Sequence, residues 1–171
     1  MTVTRNLCYA KNRFKKIHMK IALGSDHAGF KLKERIKKFL EKKEIDFKDF
    51  GCFSEESCDY PDIAKPVALS VASGDFQLGI LICGTGIGMS MAANKIKGIR
   101  AGLCLTSKMA RLTREHNDAN ILCLGARLMT IKEALKILAV FLRTDFLAGR
   151  HLRRVNKINR LTDKNSPQVL A

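Results

Sequence analysis

The sequence predicts an α/β domain: a parallel sheet of five strands between two layers of helices, a three-layer sandwich with a helical extension at its C-terminal end. Three observations predict it. Short apolar runs alternate with segments whose apolar residues recur at helical spacing, the order that builds parallel sheets. One run, L-G-I-L-I-C at 78–83, is apolar throughout, as strands buried on both faces tend to be. The chain has 171 residues, 46% of them hydrophobic and 27% charged, which suits one domain with a real core and argues against disorder.

The first strand is M-K-I-A-L-G at 19–24, ending in a Ser-Asp-His-Ala-Gly turn. Phe30, Leu32, Ile36, Phe39 and Leu40 then approximate helical spacing to about Lys43. Residues 46–50 form a second strand closed by Gly51, and a loop at 52–61 leads to a helix over 63–72 that ends near Gly74. After the strand at 78–83, a glycine loop at 84–88 opens a helix of small residues over 89–97. A strand at 99–105, a helix at 106–115, a strand at 121–124 and a helix at 131–142 follow. The last segment, 150–161, is basic and spaces Val155, Ile158 and Leu161 as on a helix. The domain is expected over 19–160, with a non-essential basic leader at 1–18 that lacks the apolar core of a secretory signal, and a polar tail at 161–171. Ligands of parallel sheets gather beyond the carboxyl ends of the strands. The loops at 25–29 and 83–88 and the approach to His116 are therefore expected to meet at one edge.

The net charge is +15, which raises a nucleic-acid reading, and its distribution lowers it. Five cations (Arg5, Lys11, Arg13, Lys15 and Lys16) sit in the leader, and others cluster over 150–164 and along the helix at 31–43. A solvated lysine face is the usual meaning of such a helix. Aromatic residues make up 6% of the chain, too few to interleave with bases. No run approaches the ~18 apolar residues of a membrane span. The six cysteines, Cys8, Cys52, Cys58, Cys83, Cys104 and Cys123, form no C-x-x-C pair and no zinc-ligand spacing. Reduced thiols, several in buried strands, a cytoplasmic location and no metal are the expectation.

The most informative stretch is Cys83-Gly84-Thr85-Gly86-Ile87-Gly88. Glycines at every second position let backbone N–H groups converge on an anion beside a helix N-terminus. A dinucleotide fingerprint and a phosphatase loop each need another residue where Met89 stands, and the G-K-[ST] of a Walker loop is absent. What survives is an anion cradle with a thiol at its lip. A cysteine ending an apolar strand is more often packing than chemistry. One followed at once by such a loop sits where thiolates are favoured. It serves either as a nucleophile or as a general base, with the amides of residues 85–88 trapping an oxyanion. Asp26-His27 and His116-Asn117-Asp118 have ordinary readings as a helix cap and a dipole contact. Their expected convergence with Cys83 is what makes them candidates. Arg127, Arg150 and Arg154 add bidentate phosphate donors, the last two on one helical face. Taken alone, these last two read as a solvated basic tail.

These residues, in this order, resemble type B ribose-5-phosphate isomerase, of the sugar-phosphate isomerase group that includes galactose-6-phosphate isomerase. The resemblance runs from Met19 to about Ile158. It is carried by G-S-D-H-A-G (24–29), D-Y-P-D (59–62), G-I-L-I-C-G-T-G-I-G (79–88), A-A-N-K (92–95), G-I-R-A (98–101), R-E-H-N-D-A-N (114–120), L-G-A-R (124–127) and G-R-H-x-x-R-V (149–155). It implies a Rossmann-like fold and an aldose–ketose isomerase that interconverts ribose 5-phosphate and ribulose 5-phosphate through a cis-enediolate. It also implies no metal or cofactor, and a homodimer or dimer of dimers whose active sites are shared between subunits. By resemblance Cys83 moves the proton between C1 and C2, and Gly84, Thr85, Gly86, Ile87 and Gly88 hold the enediolate, with the Thr85 hydroxyl assisting. His116 opens the furanose ring, Asp26 and Asn117 bind sugar hydroxyls, and His27, Arg127, Arg150 and Arg154 serve the phosphate. The near rival is an isomerase of a six-carbon sugar phosphate, allose or galactose 6-phosphate. The rival of another class is a basic nucleotide- or RNA-binding α/β module. The expected partner is a small sugar phosphate, neither nucleic acid nor membrane.

Overall fold

Strands and helices alternate through residues 19–161, the part of the chain that the computed structural model describes. In chain order they are β1 (Lys20–Ser25), α1 (Phe30–Lys42), β2 (Asp46–Asp49), α2 (Tyr60–Ala72), β3 (Leu78–Cys83), α3 (Ile87–Ala93), β4 (Ala101–Leu103), α4 (Ser107–Asn117), β5 (Ile121–Gly125), α5 (Ile131–Arg143) and α6 (Arg150–Arg160). The leader at 1–18 and all of the tail except Leu161 lie outside the described residues. The strands form one sheet in the order β2-β1-β3-β5-β4 with every pair parallel. The expected α/β sandwich is the observed one.

The two faces of the sheet explain the alternation. Ile21, Leu23, Ile80, Ile82, Leu122 and Leu124 pack on one face against α1, α4 and α5. Ala22, Leu81, Cys83, Ile121 and Cys123 face the other side, under Ala64, Val67 and Ala68 of α2 and Met89 and Ala93 of α3. Every residue of β3 and β5 is buried, because both strands are central and covered on both faces. The helices start where side chains satisfy their first amides. Thr106 accepts from the Met109 amide, and Thr130 and Glu133 form a reciprocal capping box.

Several boundaries differ from the sequence expectation. Helix α2 begins at Tyr60 rather than at residue 63, because Pro61 fits the first turn, where its missing N–H is not needed. Helix α3 starts at Ile87 and stops at Ala93, well short of residue 97. Gly86, at φ +77°, turns the chain into it. Beyond its end the Asn94 side chain pairs with the Ala101 backbone, donating to the carbonyl at 2.9 Å and accepting from the amide at 2.8 Å. That clamp holds the edge strand β4, which spans Ala101–Leu103 rather than seven residues.

Two residue-level expectations also change. The lysine face of α1 is not wholly solvated: Lys33 is fully buried and donates to both carboxylate oxygens of Asp49 at 2.7 and 2.6 Å. Three cysteines lie in the core. Burial pushes the Cys104 thiol up to about 12 and drives Cys123 upward as well. Cys52 and Cys58, by contrast, are half-buried in the loop between β2 and α2.

Candidate active site

The sheet order reverses between β1 and β3, since β1 leads outward to β2 while β3 lies beside β5 on the other side. Such a switch point opens a crevice at the carboxyl ends of the two strands. Asp26 and Cys83 stand there, joined by the Asp26 amide donating to the Ile82 carbonyl at 3.0 Å. Cys83 is 5% exposed, and its Sγ accepts from the Gly86 amide at 3.0 Å. The Thr85 Oγ1 accepts from the Ile87 amide at 3.3 Å. Glycine is required at Gly86 twice over. Its φ is +77°, and a Cβ there would fall 2.6 Å from Leu103 Cδ1 and 2.9 Å from the Leu124 carbonyl carbon.

The rest of this rim is built by backbone bonds. Asp26 Oδ1 caps a single 3₁₀ turn (His27–Gly29) by accepting from the Gly29 amide at 2.9 Å. His27 Nδ1 accepts from the Cys58 amide at 3.3 Å, which leaves Nε2 as the protonated nitrogen of the neutral ring. Arg127 follows β5; its amide donates to the Gly84 carbonyl at 2.9 Å, and its exposed guanidinium lies against Gly84. The sequence reading gave Tyr60 no role, yet its ring covers Gly88: a Cβ on Gly88 would meet it at 2.7 Å. Its place in D-Y-P-D was the available signal.

His116 and Asn117 are elsewhere, and the expected convergence on one edge fails. Helix α4 starts beyond the carboxyl end of β4 and runs back to the beginning of β5, so its last residues lie at the opposite edge of the sheet. The contacts agree. The Asn117 carbonyl accepts from Arg100 Nε at 3.1 Å, and the Arg100 carbonyl accepts from the Asn120 amide at 3.1 Å, both at the start of β4. From Ile121 to the Cys83–Gly125 pair the strand alone spans roughly 13 Å. The parallel sheet already dictates this position, because a helix that leads into the next parallel strand must end where that strand begins; the expected convergence neglects it.

Arg150 and Arg154 belong to that opposite edge too. Helix α6 packs on α4, with the His151 ring stacked on His116 at 4.2 Å between centroids and 7° between planes. Arg100 Nη1 reaches Asn159 Oδ1 at 3.2 Å. A cavity of about 200 Å³ opens beside them, lined by Arg100, Thr113, Asn117 and Ile158. One chain thus carries two separate groups: Asp26, His27, the 83–88 loop, Tyr60 and Arg127 at the carboxyl edge, and His116, Asn117, Arg150 and Arg154 at the amino edge. Among the described residues no group of His, Cys, Asp and Glu could hold a metal ion, and no helix is long and apolar enough to cross a membrane.

A family model described as ribose/galactose isomerase matches residues 21–158, which include both groups. The chain belongs to this family. Among its relatives, this isomerase chain is 44% identical to ribose-5-phosphate isomerase B of Escherichia coli over 147 residues, covering 86% of this chain and 99% of that one. A ribose 5-phosphate isomerase of Thermotoga maritima shares the fold with a TM-score of 0.82 and 55% identity, over 84% of this chain and 99% of the other. The ribose-5-phosphate isomerase B of Mycoplasma genitalium, solved with bound ribulose-5-phosphate, has a TM-score of 0.82 and 44% identity, covering 85% and 97%. In this family member the fold is the one that the resemblance implies, and the family match spans both motif groups. What the structure corrects is their arrangement within one subunit.

Proposed function

We propose that this chain is a ribose-5-phosphate isomerase that interconverts ribose 5-phosphate and ribulose 5-phosphate through a cis-enediolate. The observation that carries the reading is the Cys83 sulfur at the switch-point rim, accepting from the Gly86 amide inside a glycine loop at a helix start. Proton transfer α to a carbonyl needs a base and an oxyanion trap, and this loop offers both in one turn. The Cys83 thiolate takes the C2 proton of the open-chain aldose and returns it to C1, while the hydroxyl proton passes from O2 to O1. The amides of Gly86 and Ile87 bond to Cys83 and Thr85. They exchange those partners for the enediolate oxygens, with the amides of Gly84, Thr85 and Gly88 around them. Asp26 binds sugar hydroxyls, and His27 and Arg127 face the phosphate.

Ring opening needs an acid/base, and at the carboxyl edge Asp26 and His27 are already given to the sugar hydroxyls and the phosphate. His116 fills that role from a second copy of the chain, bringing Asn117 to the sugar and Arg150 and Arg154 to the phosphate. The separation of the two groups supports a homodimer, or a dimer of dimers, with shared sites. No cofactor or metal enters this scheme. On this reading the protein works in the cytoplasm, in the non-oxidative pentose phosphate pathway. A coupled assay should show turnover of ribose 5-phosphate well above that of allose 6-phosphate. Absence of turnover together with salt-sensitive RNA binding would replace this reading with the nucleic-acid one.

A further inference from the structure

Two half-buried thiols lie beside the catalytic rim and take no part in the scheme above. Cys52 and Cys58 bracket the loop that joins β2 to α2, and each thiol shifts the ionisation of the other. Cys52 Sγ lies 3.9 Å from the Glu56 carbonyl, so the chain between the two cysteines folds back toward Cys52. Each cysteine is tied through its backbone to the end of β1. The Cys52 amide donates to the Ser25 carbonyl, and the Cys58 amide donates to His27 Nδ1 at 3.3 Å.

We propose that Cys52 and Cys58 are an oxidative modification site, closing to an intramolecular disulfide when the protein meets a hydroperoxide and acting on the active site through His27. The two sulfurs are differentiated for that chemistry. Interaction with Cys58, and then the backbone at Ser54 and Phe53, hold the Cys52 thiol below its ordinary value, with the Lys33 charge the smallest contribution. Burial, and then interaction with Cys52, pushes Cys58 up to about 11. Cys52 is thus the attacking thiolate and Cys58 the resolving thiol. The Cys52 sulfur attacks one peroxide oxygen, the O–O bond breaks, and the leaving oxygen departs with a proton as water or alcohol. Cys58 sulfur then attacks the resulting sulfenic acid; the S–S bond forms, the S–O bond breaks, and hydroxide leaves with the Cys58 proton as water. Two thiols are oxidised and one peroxide is reduced. Drawing the sulfurs to a bond of about 2.05 Å shifts Cys58 and with it the amide that holds His27.

The test uses the full chain treated with stoichiometric hydrogen peroxide, alkylated, and cleaved before Asp49 and Asp59. That cut releases residues 49–58, which contain these two cysteines and no other. The expected peptide lacks alkyl groups and has lost the mass of two hydrogens, and dithiothreitol restores both thiols. In Cys58→Ser the reaction should stop at a sulfenic acid on Cys52 that dimedone traps, while Cys52→Ser should leave Cys58 alkylatable at the same dose. Alkylation of both thiols in the treated parent would overturn the proposal, as would a disulfide joining two chains. The link to His27 rests on the proposed function and has its own readout. Oxidation should raise KM for ribose 5-phosphate severalfold in the parent and leave the KM of Cys52→Ser where it was before treatment. A disulfide that forms without moving KM would overturn that link, and absent turnover in the untreated protein would instead count against the function.

Discussion

Replacing Cys83 by Ala removes one sulfur from a turn that the backbone otherwise holds, since the carbonyls of Cys83 and Gly84 accept from the amides of Ala126 and Arg127 at 2.8 and 2.9 Å. Folding should therefore survive while kcat falls by roughly 10²–10⁴, the contribution of a positioned general base; near-normal turnover would remove Cys83 from its role. A different side chain governs stability. Lys33 is wholly enclosed, and its bonds to Asp49 are its close ones, with Glu34 standing off at 3.8 Å. Asp49→Ala would leave a buried ammonium without its carboxylate, at a cost of about 3–5 kcal/mol. Adding Lys33→Met should recover most of that loss in urea unfolding, because the penalty lies in the unpaired charge. Two equally unstable variants would show that Asp49 acts through its bond to the Gly51 amide instead.

The legibility of the elements followed their burial. The all-apolar β3 could be read directly from six letters, and α1 from five apolar positions at helical spacing. The edge strand β4 and helix α3 were misjudged because a side chain, Asn94, takes over backbone bonds there, and such a clamp leaves no periodicity. The direction of α4 was the costlier miss, since it moved His116 across the sheet. The contact between α4 and α6 makes its own prediction. His151 is held below its ordinary value of 6.5, first by burial and then by His116 and the charges of Arg150 and Arg154. The unfolded chain therefore binds a proton near pH 6.5 that the folded chain resists. Stability from this group is complete above the unfolded value and is lost as pH falls through it toward the lower folded one. Urea midpoints should decline as pH drops from about 8 to 5, and His151→Phe, which keeps a ring on His116, should flatten that part of the slope. An unchanged profile in the variant would assign the decline to other groups.

Across the whole molecule, the candidate residues could be named from the sequence, and their division between two edges follows from the parallel order that the sequence also predicts, since strand ends lie at one edge and helix ends at the other. The division has a consequence that a merely symmetric dimer would lack. Cys83 and Arg127 share one edge, with Arg127 against Gly84, whereas His116 lies at the other, stacked on His151. If each site joins the carboxyl edge of one subunit to the amino edge of its partner, Cys83→Ala and His116→Ala put their lesions in different halves. Unfolded together in equal amounts and refolded, they form a mixed dimer with one doubly damaged site and one intact site. Random pairing then returns about a quarter of parental activity, for independent sites in a two-fold assembly. Cys83→Ala with Arg127→Ala should return none beyond that of the two variants alone, because every site in that mixed dimer keeps one lesion. Rescue by Arg127→Ala would mean that its guanidinium serves the neighbouring site. Failure of the pairing with an inactive His116→Ala, with mixed dimers demonstrated by mass, would mean that each site lies within a single chain and that the shared-site reading is wrong.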